Sequence, residues 1–344
     1  MLSRKINSRL FIGRSLFAAA AIVLLSGLAE TASAATLYVA RYNSGGFIGS
    51  ANVDGTGVNA TFVSAGAGQP IDVAADPTTN QLFYSRRTGG AIGVADLTTG
   101  AVINNSLIAS SGPQGIAVDT AGQKIYWIDS NLGTVNRANT DGTGVQLLYS
   151  GLSAYGAAQG LAINPLNQKL YVVTGYGGGS GDILRGSLDG TLALGTLFTS
   201  GSHHDGVDVD PVNNKIYWAS ALGGTANTIG VASLDPTGLI ASNINASFVT
   251  GVTNATDVEV DPIGGHVFWS TFTGDIGRSD LAGLLNPAAT GVNGSFITTI
   301  SNSWGMDIAQ DVVEAVPEPS TFILSALGLA GLGLVAWRKR RIAA

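Results

Sequence analysis

Three acidic residues occupy one slot of a recurring five-residue motif: Asp208 in GVDVD, Glu259 in DVEVD and Asp307 in GMDIA. The same slot holds Ala74, Ala117 and Ala162 in the other copies, so half of the set is acidic and half is alanine. Carboxylates that converge in this way can coordinate Ca²⁺, a hard cation that takes six to eight oxygen ligands. They can equally line a water-filled channel as solvated side chains. Asp72, Asp205 and Asp257 stand one step nearer the start of the motif and would add charge at the channel mouth.

A second cluster is His203-His204-Asp205, residue types suited to metal binding or acid–base work. Neighbouring residues on an extended chain point to opposite sides, so only one imidazole can join Asp205 in a site. The third histidine, His266, falls at a hairpin slot held elsewhere by Lys124, Lys169 and Lys215, so no distant histidine completes a triad. No Gly-x-Ser-x-Gly elbow is present, and GYGGGSGD from Gly175 lacks the lysine of a phosphate loop. No catalytic residue is assigned.

The elements that position these side chains are repeats. Six segments carry an aromatic residue followed by an apolar one: LYVA, LFYS, IYWI, LYVV, IYWA and VFWS, spaced by 43 to 51 residues. Eleven residues before each of the last five aromatics stands the first residue of the motif, at Asp72, Gly115, Gly160, Gly206 and Asp257. Turn residues such as Asp76-Pro77 and Asp210-Pro211 lie between the two, so each pair reads as two strands joined by a tight hairpin. A third strand, a turn such as Asp141-Gly142 and a fourth strand follow, the Asp-Gly pair favouring positive φ at both central positions. Four antiparallel strands in each repeat make a propeller blade, and 48 glycines disfavour helix.

The first aromatic, Tyr38, has no partner strand before it, and the motif at Gly305 has no aromatic strand after it. One pairing removes both orphans: the C-terminal strand completes the first blade. The expected fold is an all-β, six-bladed β-propeller of four-stranded antiparallel blades over residues 35–314. The repeats resemble the YWTD repeats of low-density-lipoprotein-receptor-type propellers, best at Tyr126-Trp127-Ile128-Asp129, and more loosely NHL repeats. The Asp129 slot departs from that pattern, holding Arg41, Arg86, Thr174, Ser220 and Thr271 elsewhere. The resemblance implies binding of a partner on one face. Trp127, Trp218 and Trp269 share one slot and are expected to pack between blades, whereas Trp304 precedes the closing strand at the channel mouth and is a contact candidate.

The two ends carry addresses. Residues 1–34 read as a signal peptide: four basic residues, an apolar run and Ala32-Ser33-Ala34, the form of a signal peptidase site. Residues 315–344 contain Pro317-Glu318-Pro319, sixteen residues without a charge, and Arg338-Lys339-Arg340-Arg341. As a helix the apolar run measures about 24 Å, short against a hydrocarbon core of about 30 Å, and the basic cluster would stay cytoplasmic. These three features in this order resemble the PEP-CTERM sorting tail of exported bacterial proteins. That resemblance implies transient anchoring in the inner membrane, processing by an exosortase, and release to the cell surface or the extracellular space.

Between the ends, 21 acidic residues stand against 9 basic ones, about 12 net negative charges at neutral pH. Such a body will not track a nucleic-acid backbone. The absence of cysteine excludes disulfides, thiol catalysis and thiolate metal sites. Three functions fit: a noncatalytic envelope or matrix propeller binding an extracellular polysaccharide or an envelope protein, a Ca²⁺-dependent hydrolase or lyase using the acidic slot, or a structural component of the polymer layer.

Overall fold

The computed structural model describes residues 35–309, apart from 43–44, 177–180, 201–202, 221–226 and 284. The leader and the tail, Pro317, Glu318 and Pro319 included, lie outside the described residues. Among the described residues, 24 strands form six four-stranded antiparallel sheets. Blades 2 to 6 are continuous in sequence. Blade 1 takes its inner strand, Ser303–Ala309, from the C-terminal side and pairs it with Thr36–Arg41.

The inner strands of blades 2 to 6 are Pro70–Asp76, Pro113–Asp119, Ala157–Asn164, His204–Asp210 and Ala255–Asp261. Each touches the inner strand on either side, and Ser303–Ala309 lies between the first and the last of these, which closes the ring.

Register explains the eleven-residue spacing. Phe83 faces Ala74, Tyr126 faces Ala117, Tyr171 faces Ala162, Tyr217 faces Asp208 and Phe268 faces Glu259. In blade 1 Tyr38 faces Asp307, the same pairing made by a strand from the far end of the chain. A one-residue slip would turn every side chain of the strand to the wrong face, so agreement across six blades fixes the acidic slot toward the axis.

The second strands supply the core. Trp218 is buried with Tyr171, Val173 and Ile183 of blade 4, while its neighbour Tyr217 is buried with Val258, Val260 and Trp269 of blade 6. Alternation along one strand thus sends successive aromatics into opposite blade interfaces. Each such side chain buries about 150–250 Å², enough to weld the blades without any disulfide.

The Asp-Gly turns differ from the expectation. Only the glycine takes positive φ, 84° at Gly142, and the aspartate serves as an acceptor instead. Asp141 Oδ1 accepts the Thr143 N–H at 2.9 Å and its hydroxyl at 2.6 Å. The same arrangement recurs at Asp54, Asp189 and Asp235.

Candidate functional site

The motif positions, counted from Asp72 and its equivalents as position 1, define tiers around the axis. Position 3 contributes Asp208, Glu259 and Asp307, and position 1 adds Asp72 and Asp257. These five carboxyls line a central cavity of about 200 Å³, closed on the other side by Ala74, Ala117 and Ala162. Asp205 does not belong to this set. It stands one position earlier than Asp72 and Asp257, and it is not among the residues that line the cavity.

The carboxyls reach across blade boundaries by one rule. A position 1 aspartate accepts the amide of position 2 in the next blade: Ile116 N–H to Asp72 Oδ2 at 2.9 Å, and Met306 N–H to Asp257 Oδ2 at 2.7 Å. A position 3 aspartate accepts the amide of position 4 in the next blade: Val260 N–H to Asp208 Oδ2 at 2.9 Å, and Ala75 N–H to Asp307 Oδ2 at 2.5 Å. Together they bridge four consecutive interfaces, from blade 5 through blades 6, 1 and 2 to blade 3. The inner strand of a blade leaves amides facing its neighbour, and each amide buried without a partner would be costly. Glycine makes room for the bridge. A Cβ on Gly305 would come within 2.0 Å of Asp72 Oδ1, and one on Gly206 within 2.1 Å of Asp257 Oδ1.

Each carboxyl touches the channel yet lies deep in the ring, away from bulk solvent. Burial therefore raises Asp72, Asp257 and Glu259 well above the carboxylate range and pushes Asp208 up to about 8. Asp307 is raised by burial as well, while the amides of Ala75 and Ile308 and a hydrogen bond with Glu259 pull it back down. Glu259 feels the negative charges of Asp208, Asp307 and Asp257 in addition to burial, and its hydrogen bond with Asp307 raises it further.

These residues fit a resident Ca²⁺ poorly. Both oxygens of Asp307 accept backbone amides, Oδ1 from Ile308 at 2.8 Å and Oδ2 from Ala75. Among the described residues no group of three or more His, Asp or Glu side chains converges closely enough to hold a metal ion.

At the mouth, His203 and His204 divide as the extended chain requires. His203 Nε2 lies 3.0 Å from Asp205 Oδ1. His204 turns the other way and is fully buried, its Nδ1 2.9 Å from Ser220 Oγ and its Nε2 2.5 Å from Ser200 Oγ. Burial lowers its pKa to about 4, so it is neutral and braces blade 5. Trp304 exposes only 8% of its surface and packs tilted against Tyr42 and edge-on against Phe272. It is largely a packing residue, with its rim at the mouth.

Two features escape a reading by motif. One is a set of buried acceptors at the position before the motif: Gln114 Oε1, Gln159 Oε1 and Asp205 Oδ2, in three consecutive blades, have no hydrogen-bond partner among the described residues. The dipeptides Gln114-Gly115, Gln159-Gly160 and Asp205-Gly206 are their sequence trace. The other is the drifting Asp129 slot, which keeps one task under several chemistries. Asp129 accepts the Ser111 N–H and the Ser110 and Ser111 hydroxyls, latching the loop ahead of its blade's inner strand. Arg41 and Arg86 latch the equivalent loops by donating to the carbonyls of Ser301 and Ala67. A donor replaces an acceptor because the loop presents its other backbone group.

Residues 315–341 match the PEP-CTERM protein-sorting motif. The chain carries a PEP-CTERM sorting tail. The tail marks an exported protein, held at the membrane by its C-terminus until an exosortase processes it. The propeller is similar to solved structures at low identity. One is from a nidogen/laminin complex, with TM-score 0.64 and 19% identity over 81% of this chain and 99% of that one. A second is TolB from Acinetobacter baumannii, with TM-score 0.57 and 17% identity over 86% of this chain and 71% of that one. A third is a gluconolactonase from Xanthomonas campestris, with TM-score 0.56 and 14% identity over 80% of this chain and 91% of that one. At these identities the likeness concerns fold, which a binding protein and an enzyme share here.

Proposed function

We propose that this PEP-CTERM protein is a noncatalytic component of the bacterial envelope or extracellular matrix, whose propeller binds a polymer or a protein partner through its top-face loops. The observation that carries the reading is the use made of the channel carboxyls. Asp72, Asp208, Asp257 and Asp307 accept amides of the next blade, so the groups an enzyme would keep for chemistry are spent on holding the ring. The binding face is the one onto which the inner strands open, with His203, Asp205 and the rim of Trp304 at its centre and His204 bracing it from beneath. The Asp205 side chain is fully buried and acts through His203, whose Nε2 lies 3.0 Å from its Oδ1, so the pair sets the polar character of the face that would meet a polysaccharide.

The Ca²⁺-dependent hydrolase or lyase reading rests on Asp208, Glu259 and Asp307, and it requires a cation to compete with the backbone amides that Asp208 and Asp307 already accept. A purely structural role in the polymer layer has no feature of the site in its favour. The test is binding of the purified propeller, residues 35–314, to exopolysaccharide from the native host, alongside a turnover panel of lactones and glycosides with and without calcium. Saturable binding weakened by Asp205→Ala, with no turnover, is the expected result. Calcium-dependent turnover lost in Asp208→Asn would overturn the proposal.

A further inference from the structure

We propose that, while the sorting tail is intact, the face of the ring from which the chain leaves toward that tail rests on a zwitterionic lipid surface, leaving the opposite, binding face turned outward. The inference rests on the tail's being a membrane anchor, and on where the ring releases the chain.

Ala309 stands at position 5 of its motif, level with Asn164, Asp210 and Asp261, which open the turns between first and second strands. The chain therefore leaves blade 1 on the face that carries those turns. Residues 310–321 separate Ala309 from the start of the apolar run, twelve residues that span at most about 40 Å. The face is thus held within about a ring's width of the bilayer.

That face is apolar on one side. Position 7 is Leu166 in blade 4, Val212 in blade 5 and Ile263 in blade 6, exposed to 78%, 70% and 76%. In blades 2 and 3 the position is Thr78 and Ala121. The turns are fixed, so the exposure is built in rather than a result of fraying. Asn164 Oδ1 accepts the Leu166 N–H at 3.0 Å, Asp210 Oδ1 the Val212 N–H at 3.0 Å, and Asp261 Oδ1 the Gly264 N–H at 2.7 Å. Ile240 and Leu285, exposed on the third-to-fourth-strand loops of blades 5 and 6, extend the patch. Scattered single apolar residues mean little, but three at the same position of consecutive blades, on one side of one face, are not scattered. Asp189, Asp235 and Asp280 lie on the same side of the ring and would be repelled by anionic headgroups, which selects neutral lipid. Tethering supplies the effective concentration, so a contact too weak to recruit a free protein suffices for an anchored one.

The chain has no native cysteine, so a single introduced thiol reports one position. The full chain is reconstituted in phosphatidylcholine vesicles and labelled with bimane at Val212→Cys or, as the opposite-face control, at Leu132→Cys, itself 66% exposed. Spin-labelled phosphatidylcholine is expected to quench the Val212→Cys label several-fold more than the Leu132→Cys label. Replacing Leu166 and Ile263 by serine should reduce that difference. Equal quenching at both positions, with the protein floating with the vesicles, would overturn the orientation alone. A chain that does not float would overturn the anchor and the proposal together. Shielding of Val212→Cys by disulfide-linked dimers without lipid quenching would assign the patch to a second copy and also overturn it.

Discussion

Asp307 Oδ2 accepts the amide of Ala75 at 2.5 Å, joining the last strand of the ring to the second blade across 232 residues of sequence. One of the three carboxyls that the sequence offers as metal ligands is therefore a fastener of the closure.

Removing the closing strand should unfasten two interfaces at once. A chain ending at residue 302 loses the partner of Thr36–Arg41 and the bridges from Asp257 and to Ala75. Its melting temperature should fall well below that of residues 35–314, by circular dichroism. An unchanged melt would contradict the closure.

The channel carboxyls set an unusual pH dependence. Their folded pKa values are raised above the unfolded carboxylate value, so their contribution to stability is fully present below about pH 4 and is lost as pH rises through the folded values, about 8 for Asp208. The turn acids Asp54, Asp96, Asp141 and Asp235 are lowered by hydrogen bonds, so theirs is lost as pH falls below the usual range. Thermal melts across pH should therefore peak in mildly acid buffer and fall on both sides. A melt that rises steadily from pH 5 to pH 8 would refute this balance.

Gly305 is required by its neighbour. Gly305→Ala places a Cβ against Asp72 Oδ1 and should cost about 1–3 kcal/mol in denaturant unfolding. Asp72→Ala in the same chain should recover little of that loss, because the added Cβ also lies 2.6 Å from the Asp72 Cα, which the second change leaves in place.

Calcium should leave the melt of the parent protein unmoved at millimolar concentration. A bound cation in hundredfold excess over its Kd would add about 2.7 kcal/mol, readily seen by calorimetry. A rise that vanishes in a variant with Asp208, Glu259 and Asp307 all replaced by their amides would restore the metal reading.

Much of the ring was legible because its signal is periodic. The eleven-residue offset between motif and aromatic reports a register, and register is local; the missing partner of Tyr38 then placed the strand at Gly305. The site was legible only in part. The slot of Asp208, Glu259 and Asp307 was visible, but their partners are backbone amides of the next blade, which no residue type announces. Asp205 groups with Asp72 and Asp257 by nearness in the motif, but Gly206 holds their position in blade 5, so Asp205 falls one residue short of the cavity. Trp304 was placed at the mouth from its loop, whereas Tyr42 and Phe272, distant in sequence, cover most of it.

The most direct test of the fastening role compares Asp307→Asn with Asp307→Ala by urea unfolding at neutral pH. Asparagine removes the charge but keeps a single carbonyl acceptor where the carboxylate serves the amides of both Ala75 and Ile308, so it should lose clearly less than alanine. Alanine strands both amides and should cost about 1–3 kcal/mol. Equal loss in both variants would mean that the charge, and with it a cation or a catalytic role, is what the protein requires of Asp307.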